Sequence, residues 1–286
     1  MVKRRPAQIY LAARNEASAQ KAIEDIETEV PGSASLIQYV HCDLASLASV
    51  QTTTHAFLEL EKKRVGQPRL DLLFLNAGVM AVPAGLTKDG YEIQFGTNHL
   101  GHFLLHKLLL PTLLATAKLP SADVRVISLT SLAHLWAPPW SGIAFEPLHT
   151  SMAWTPSLMR YGQSKLANIL FVKEVQRRYG EQGITAVAVH PGAVDTDLYR
   201  TVISTWWVAG RFVDLARRMI CFSVENGVKG QLWAATAPAG DGPNQVKAGG
   251  YYEPLGVAGQ GSWLSNNARL ALKLWDWSVE EVEGYD

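Results

Sequence analysis

Cysteine is almost absent from this chain. Cys42 and Cys221 are the only two among 286 residues, and they show no metal-ligand spacing. The expectation is two reduced thiols in a cytoplasmic protein. Charge is also sparse. Asp, Glu, Lys and Arg make up 18% of the residues, and 26 basic residues balance 26 acidic ones. A neutral chain with no basic run beyond Lys3-Arg4-Arg5 lacks the electrostatic footprint of a nucleic-acid partner. Low charge also fits a sheet covered on both faces, and the interface of a homodimer or tetramer. No uninterrupted apolar run reaches the roughly 18 residues of a membrane-crossing helix, and no signal-peptide core opens the chain. His99, His102, His134 and His190 have no acidic or cysteine partner at ligand spacing, so no metal is expected.

What is present is apolar bulk, 48% of the residues, in a repeating order. Apolar runs read as strands at Ala7–Ala12, Ala34–His41, Leu70–Leu75, Val124–Leu129, Thr185–His190 and Gly250–Tyr252. Amphipathic patterns read as helices near Asn15–Glu29, Leu47–Arg64, His99–Ala117, Ser157–Tyr179 and Glu225–Ala235. Alternation of this kind is the signature of a doubly wound parallel α/β sheet. No repeat or linker divides residues 1–286, so one domain is expected.

The chemistry concentrates in Tyr161-Gly162-Gln163-Ser164-Lys165. A tyrosine and a lysine four apart share one helix face. An ammonium beside a phenol favours the phenolate and makes the tyrosine an acid–base group usable near neutral pH. Four other segments accompany it. Leu72–Gly78 is an apolar run ending in Asn76-Ala77-Gly78. Gly96-Thr97-Asn98-His99-Leu100-Gly101-His102-Phe103 opens a long apolar helix. Arg125–Ser131 is a strand ending in hydroxyls, and Ala186–Thr196 is a strand running into Pro191-Gly192. Together and in this order they resemble the short-chain dehydrogenase/reductase family, from about Gln8 to about Tyr252. The wording is closest to its retinol-dehydrogenase-like branch, which has many fungal members.

The resemblance implies a Rossmann-like fold and an NADP-dependent oxidoreductase interconverting a ketone or aldehyde with its alcohol. It implies that Tyr161 exchanges the proton, that Lys165 tunes Tyr161 and holds the nicotinamide ribose, and that Asn98 completes a proton relay. Ser131 would bind the substrate oxygen, with Thr130 and Ser128 as competing hydroxyls. Arg14 offers a fork matched to a 2′-phosphate. Asp43 and Leu44 would meet the adenine, Asn76, Ala77 and Gly78 the adenosine side, and Val194 and Thr196 the nicotinamide carboxamide. Trp136-Ala137-Pro138-Pro139-Trp140 would form part of the substrate wall.

The family's fold opens with a strand and a T-G-x-x-x-G-x-G turn. That glycine pattern does not occur here, and Met1–Pro6 resembles the tail of a helix. The sequence therefore leads to the expectation of an N-terminally truncated sheet, with the first strand and glycine-rich turn absent. Residues 197–224, rich in tryptophan and phenylalanine, would form a lid over a small lipophilic substrate; an amphipathic membrane-surface segment is the rival reading. The rival function is a non-redox relative, an isomerase, cyclase, lyase or scaffold with impaired dinucleotide binding.

Overall fold

The computed structural model describes residues 1–192 and 224–285. Strand β1, Ile9–Ala13, runs into helix α1, Glu16–Glu29, and on to strand β2, Ile37–His41, which pairs with β1 in parallel from Ile9 opposite Ile37 to Ala13 opposite His41. Asn15 starts α1, its Oδ1 accepting from Ser18 N at 2.8 Å, the ordinary device for an orphan helix donor. Helix α2, Leu47–Val65, starts at Ser46 and stops at Gly66, whose φ of 84° suits only glycine without strain.

The remaining strands form a second ladder. They are β3, Leu72–Leu75; β4, Val124–Leu129; β5, Ile184–Val189; β6, Tyr251–Glu253; and β7, Val257–Ala258. They lie in the order β3-β4-β5-β6-β7, parallel except for the last pair. Helices α3, Ile93–Ala117, α4, Ser157–Tyr179, and α5, Val224–Thr236, connect them, and α6, Ala268–Glu281, follows. Within α3 the turn Gly96–Leu100 is π-helical.

Side-chain alternation builds the layers. Val126, Ala186 and Ala188 share a core with Leu47, Val50 and Phe57 of α2, Phe103 and Leu104 of α3, and Val172 of α4. Ile127, Leu129, Val187 and Val189 face the other way onto Ala234 and Ala235 of α5. β4 is buried along its whole length, as expected of a strand covered on both faces. Its one charge, Arg125, bonds both carboxylate oxygens of Asp123 and, through Nη1 at 2.8 Å, the carbonyl of Ala234. The β1–β2 pair joins the main core through α2: the Tyr10 ring packs edge-on against Phe57, and its hydroxyl donates to Glu61 at 2.8 Å.

Three expectations are corrected here. The expectation is a truncated sheet without the first strand and its glycine-rich turn. The chain instead begins as a β–α unit, Ile9–Ala13 then Glu16–Glu29. Arg14-Asn15 connects the two by side-chain capping, with Asn15 at a φ of −104° that needs no glycine. The strand expected from Ala34 starts at Ile37, because the Glu27 carboxylate accepts from Gly32 N and Ala34 N and holds Ala34–Leu36 in a 3-10 turn. Helix α3 starts at Ile93 rather than His99, because Glu92 Oε2 accepts from Phe95 N at 2.7 Å. By length and composition α3 could cross a bilayer, but Gly96 through His106 are all buried inside the fold.

Candidate active site

The C-terminal ends of β3, β4 and β5 carry Asn76–Gly78, Thr130–Ser131 and His190–Gly192 to one edge of the sheet, the place where open parallel sheets bind ligands. Helix α4 brings Tyr161 and Lys165 against the end of β4. Gly162 permits the close approach. A Cβ there would stand 2.6 Å from the Ala133 carbonyl oxygen and 2.9 Å from Ala137 N. Thr130 Oγ1 donates to the carbonyl of Lys165 at 2.7 Å, and Asn168 Nδ2 donates to the carbonyl of Leu129 at 2.8 Å.

Lys165 Nζ donates to the same Leu129 carbonyl at 3.1 Å and lies 5.6 Å from the centre of the Tyr161 ring. Both side chains are buried. Burial pulls the Lys165 ammonium down to about 8. Asn98 sits in the π-turn of α3. Its Oδ1 accepts from Val79 N at 2.8 Å, and its Nδ2 donates to Val79 O and to Ser164 Oγ, each at 2.9 Å. Ser164 Oγ in turn donates to the carbonyl of Tyr161 at 2.7 Å. Gly78 lies against this group. A Cβ at that position would be 2.8 Å from Asn98 Oδ1 and 3.4 Å from Lys165 Nζ. Asn98, Ser164, Tyr161, Lys165 and Gly78 thus form one connected centre.

The hydroxyls at the end of β4 differ. Ser128 is buried in the strand, and Thr130 is the lock on Lys165 already described. Ser131 is half-buried and opens the turn Leu132–Trp136, its Oγ accepting from Ala133 N at 3.2 Å. Leu132, Leu135 and Trp136 beside it are more than half exposed, and Trp140 is 92% exposed.

Of the residues expected on the adenosine side, Gly78 belongs to this centre. Asn76 and Ala77 are exposed at the end of β3, as is Arg14 at the end of β1, and Leu44 is half-buried. Asp43 Oδ2 accepts from Lys88 Nζ at 3.0 Å and Oδ1 from Ala45 N at 3.1 Å. Burial pushes the Asp43 carboxyl upward, but the Lys88 bond, the Ala45 N–H and the charges of Lys88 and Arg14 outweigh it and hold its pKa below the usual value. Lys88 is a neighbour the sequence did not suggest, because it lies 45 positions away. Val194, Thr196 and almost all of the lid at 197–224 fall outside the described residues.

The histidines take separate roles. His99 Nε2 meets Ser278 Oγ at 2.9 Å, and His102 Nδ1 meets the Asn98 carbonyl at 3.1 Å. Among the described residues no three His, Cys, Asp or Glu side chains gather as a metal site. Burial, then the charge of Lys165, drives His102 down to about 4. His190, half-buried at the end of β5, accepts from Gly192 N at 3.3 Å.

A protein-family model described as short chain dehydrogenase matches residues 1–139. The match begins at residue 1 and takes in β1 and α1, which overturns the expectation that the opening unit is missing. A short-chain dehydrogenase/reductase of Armillaria gallica is 36% identical over 98% of this chain and 83% of its own length. Retinol dehydrogenase 12 of Mus musculus is 40% identical over 69% of this chain and 57% of its own. Among solved structures, an uncharacterized protein of Mycobacterium paratuberculosis superimposes with a TM-score of 0.67 at 29% identity, covering 98% of this chain and 85% of that one.

Proposed function

The chain belongs to the short-chain dehydrogenase/reductase family and is an oxidoreductase of the CH–OH/C=O couple; from that premise we propose that it uses NADP(H) to interconvert a ketone or aldehyde with its alcohol on a small lipophilic molecule. The observation that carries the reading is the buried Lys165 ammonium, 5.6 Å from the Tyr161 ring centre and tied to the strand end at Leu129.

The residues present fit a dinucleotide at its two ends. At one end, the glycine at 78 leaves the approach to Lys165 clear, and the lysine directs one N–H at Leu129 while an ammonium carries three donors. Ribose hydroxyls are the natural acceptors for the others. At the other end the exposed Arg14 fork suits a 2′-phosphate, with Asp43 and Leu44 toward the base. NADP(H) bound there would supply or accept the hydride.

The protein's own residues handle the proton. In reduction, Tyr161 gives its phenolic proton to the oxygen that becomes the alcohol. The Lys165 charge steadies the phenolate left behind. Ser131 Oγ donates to the same substrate oxygen and holds the carbonyl in line as charge develops. Asn98 keeps its amide pinned to Val79 and Ser164, and so fixes where Tyr161 and Lys165 stand relative to α3. Exposed Leu132, Leu135 and Trp136 next to Ser131 support an apolar substrate, as do the aromatic content of residues 201–222 and a relative named for retinol.

The test is turnover of NADPH with a panel of lipophilic ketones and aldehydes, before and after Tyr161→Phe. The substitution removes one hydroxyl from a buried ring and is expected to leave the fold intact. It should lower kcat by about a thousandfold, roughly 4 kcal/mol in barrier. Retention of more than about a tenth of the activity would remove Tyr161 from the chemistry.

A further inference from the structure

Glu92 and Arg160 are an ion pair with almost no exposure to water. Arg160 Nη1 donates to Glu92 Oε1 at 2.8 Å, and the two side chains are 4% and 0% exposed. Burying such a pair takes both charges out of water, and apolar side chains of the same volume commonly stabilise a fold as well or better. Its placement needs another reason than stability.

The pair joins the starts of the two helices that carry the reacting groups. Glu92 caps α3, its Oε2 accepting from Phe95 N; Asn98 follows in the next turn. Arg160 immediately precedes Tyr161 in the first turn of α4. A parallel link lies beside it. Gln94 Nε2 donates to Ser157 O at 3.0 Å, and its Oε1 accepts from Ala81 N at 2.9 Å. Between the helices runs the strap Val79–Val82. Val79 is held by Asn98 at both its N–H and its carbonyl. Ala81, at a left-handed φ of 53°, is held by Gln94. The Val82 carbonyl accepts from Ser157 Oγ at 3.1 Å and Arg160 Nη2 at 3.4 Å. The third Arg160 nitrogen, Nε, donates to the Thr155 carbonyl at 3.2 Å.

We infer that Glu92 and Arg160 are positioning residues: through this strap they fix the spacing of Tyr161 and Lys165 on α4 from Asn98 on α3. The inference rests on the reading of Tyr161 as the proton-transferring group. The planar guanidinium is required because it serves a carboxylate and two carbonyls at once, on three sides of one plane. A lysine would keep the charge and the pairing with Glu92 but lose that fork.

The test uses three variants of the full chain: Glu92→Gln, Arg160→Lys, and the neutral pair Glu92→Gln with Arg160→Gln. Glu92→Gln leaves a buried guanidinium without its counter-charge and should lower both Tm and kcat. The double variant removes both charges and should regain most of the Tm, while kcat stays down about tenfold, KM for NADPH stays within about twofold, and the pH profile of kcat is displaced. Arg160→Lys should lower kcat less than the double variant, with Tm near the parent's. A merely structural role would make kcat follow Tm. Parental kcat and pH profile in the double variant would therefore overturn the inference. Where that variant does not fold, Arg160→Lys decides: parental kcat and profile overturn it, and a lowered kcat with unchanged KM sustains it. Tyr161→Phe run alongside separates the two readings. If it is inactive while the Arg160 variants behave as the parent, only the positioning role fails. If Tyr161→Phe is active, both readings fall.

Discussion

Thr130 Oγ1 donates to the main-chain carbonyl of Lys165 at 2.7 Å, across the 35 positions that separate them. The bond fastens the end of β4 to the middle of α4, beside the residue that faces Tyr161. It also distinguishes two neighbouring hydroxyls: that of Thr130 holds the frame, and that of Ser131, half-buried, is the one proposed to meet the substrate.

Ser131→Ala and Thr130→Val should therefore separate cleanly. Loss of the Ser131 hydroxyl is expected to lower kcat by about a hundredfold, since one oxyanion donor is removed, with a stability loss of about 0.5–2 kcal/mol from the Ala133 N–H that it caps. Thr130→Val leaves a buried carbonyl with one fewer donor and should cost about 1–3 kcal/mol of stability. Thr130→Ser should restore it. Steady-state kinetics and urea unfolding on the three variants check this. Full activity in Ser131→Ala would exclude Ser131 as the substrate's partner.

The pH dependence follows from Lys165. Burial lowers its pKa to about 8, so the ammonium that steadies the phenolate is lost as pH rises through that value. The profile of kcat/KM, which reports the free enzyme, should fall on its basic side with an apparent pKa near 8. Lys165→Arg should keep the charge and remove this basic limb at a lower overall rate. The lysine also affects stability. Its folded pKa lies below the unfolded 10.5, so the unfolded chain binds more protons between about 8 and 10.5, and this group's contribution favours folding more as pH rises through that window.

Gly162→Ala tests the approach of α4 to the turn after β4. All three atoms nearest the added methyl are main-chain atoms, at 2.6 to 2.9 Å, and none can swing away. The expected cost is about 1–3 kcal/mol of stability, the usual range for overpacking. Because Tyr161 is the adjacent residue, kcat should fall along with the urea midpoint. An unchanged midpoint would mean that α4 shifts freely at this point.

His99, His102 and His106 are buried in α3, and burial lowers them to about 3, about 4 and about 3. Each stays neutral in the fold while the unfolded chain protonates near 6.5. Stability should decline as pH falls from about 6.5 toward 4, because the unfolded state binds more protons across that range. His106→Leu should flatten the slope of Tm against pH there by about one proton. An unchanged slope would show that His106 is already protonated in the fold.

Much of the frame is legible in the sequence because its signals are local. Val124–Leu129 and Ser157–Tyr179 emerge with the expected bounds, since a short apolar run and a proline before a helical pattern report on their own neighbourhood. The Tyr161–Lys165 pair is legible for the same reason. What escaped is long-range or borderline. Glu92 and Arg160 are 68 positions apart, and nothing near either residue announces the other. Helix α6 carries its buried Leu270, Ala271, Leu274, Trp275 and Ser278 at helical spacing, but lies beyond Tyr252, where the resemblance that organises the sequence reading ends. The opening unit differs from expectation because Ala7–Ala12 and Asn15–Glu29, legible as a strand and a helix, lack the family's glycine pattern before them and so read as its second unit.

The π-helical turn has a mechanical consequence. The Gly101 N–H reaches back five residues to the Gly96 carbonyl, so this turn contains one residue more than an α-helix would place there. Each residue of an α-helix turns the chain by about 100°. Winding this turn as a regular α-helix with all its residues kept would swing the first turn, with Glu92 and Gln94, by about that angle away from α4, whereas deleting one of them would absorb the bulge and leave both segments in phase. The apolar face from Phe103 onward would keep its seat. The bulge is thus a phase offset between two surfaces of one helix. It lets the face packed against the sheet and the face turned toward the site be set independently.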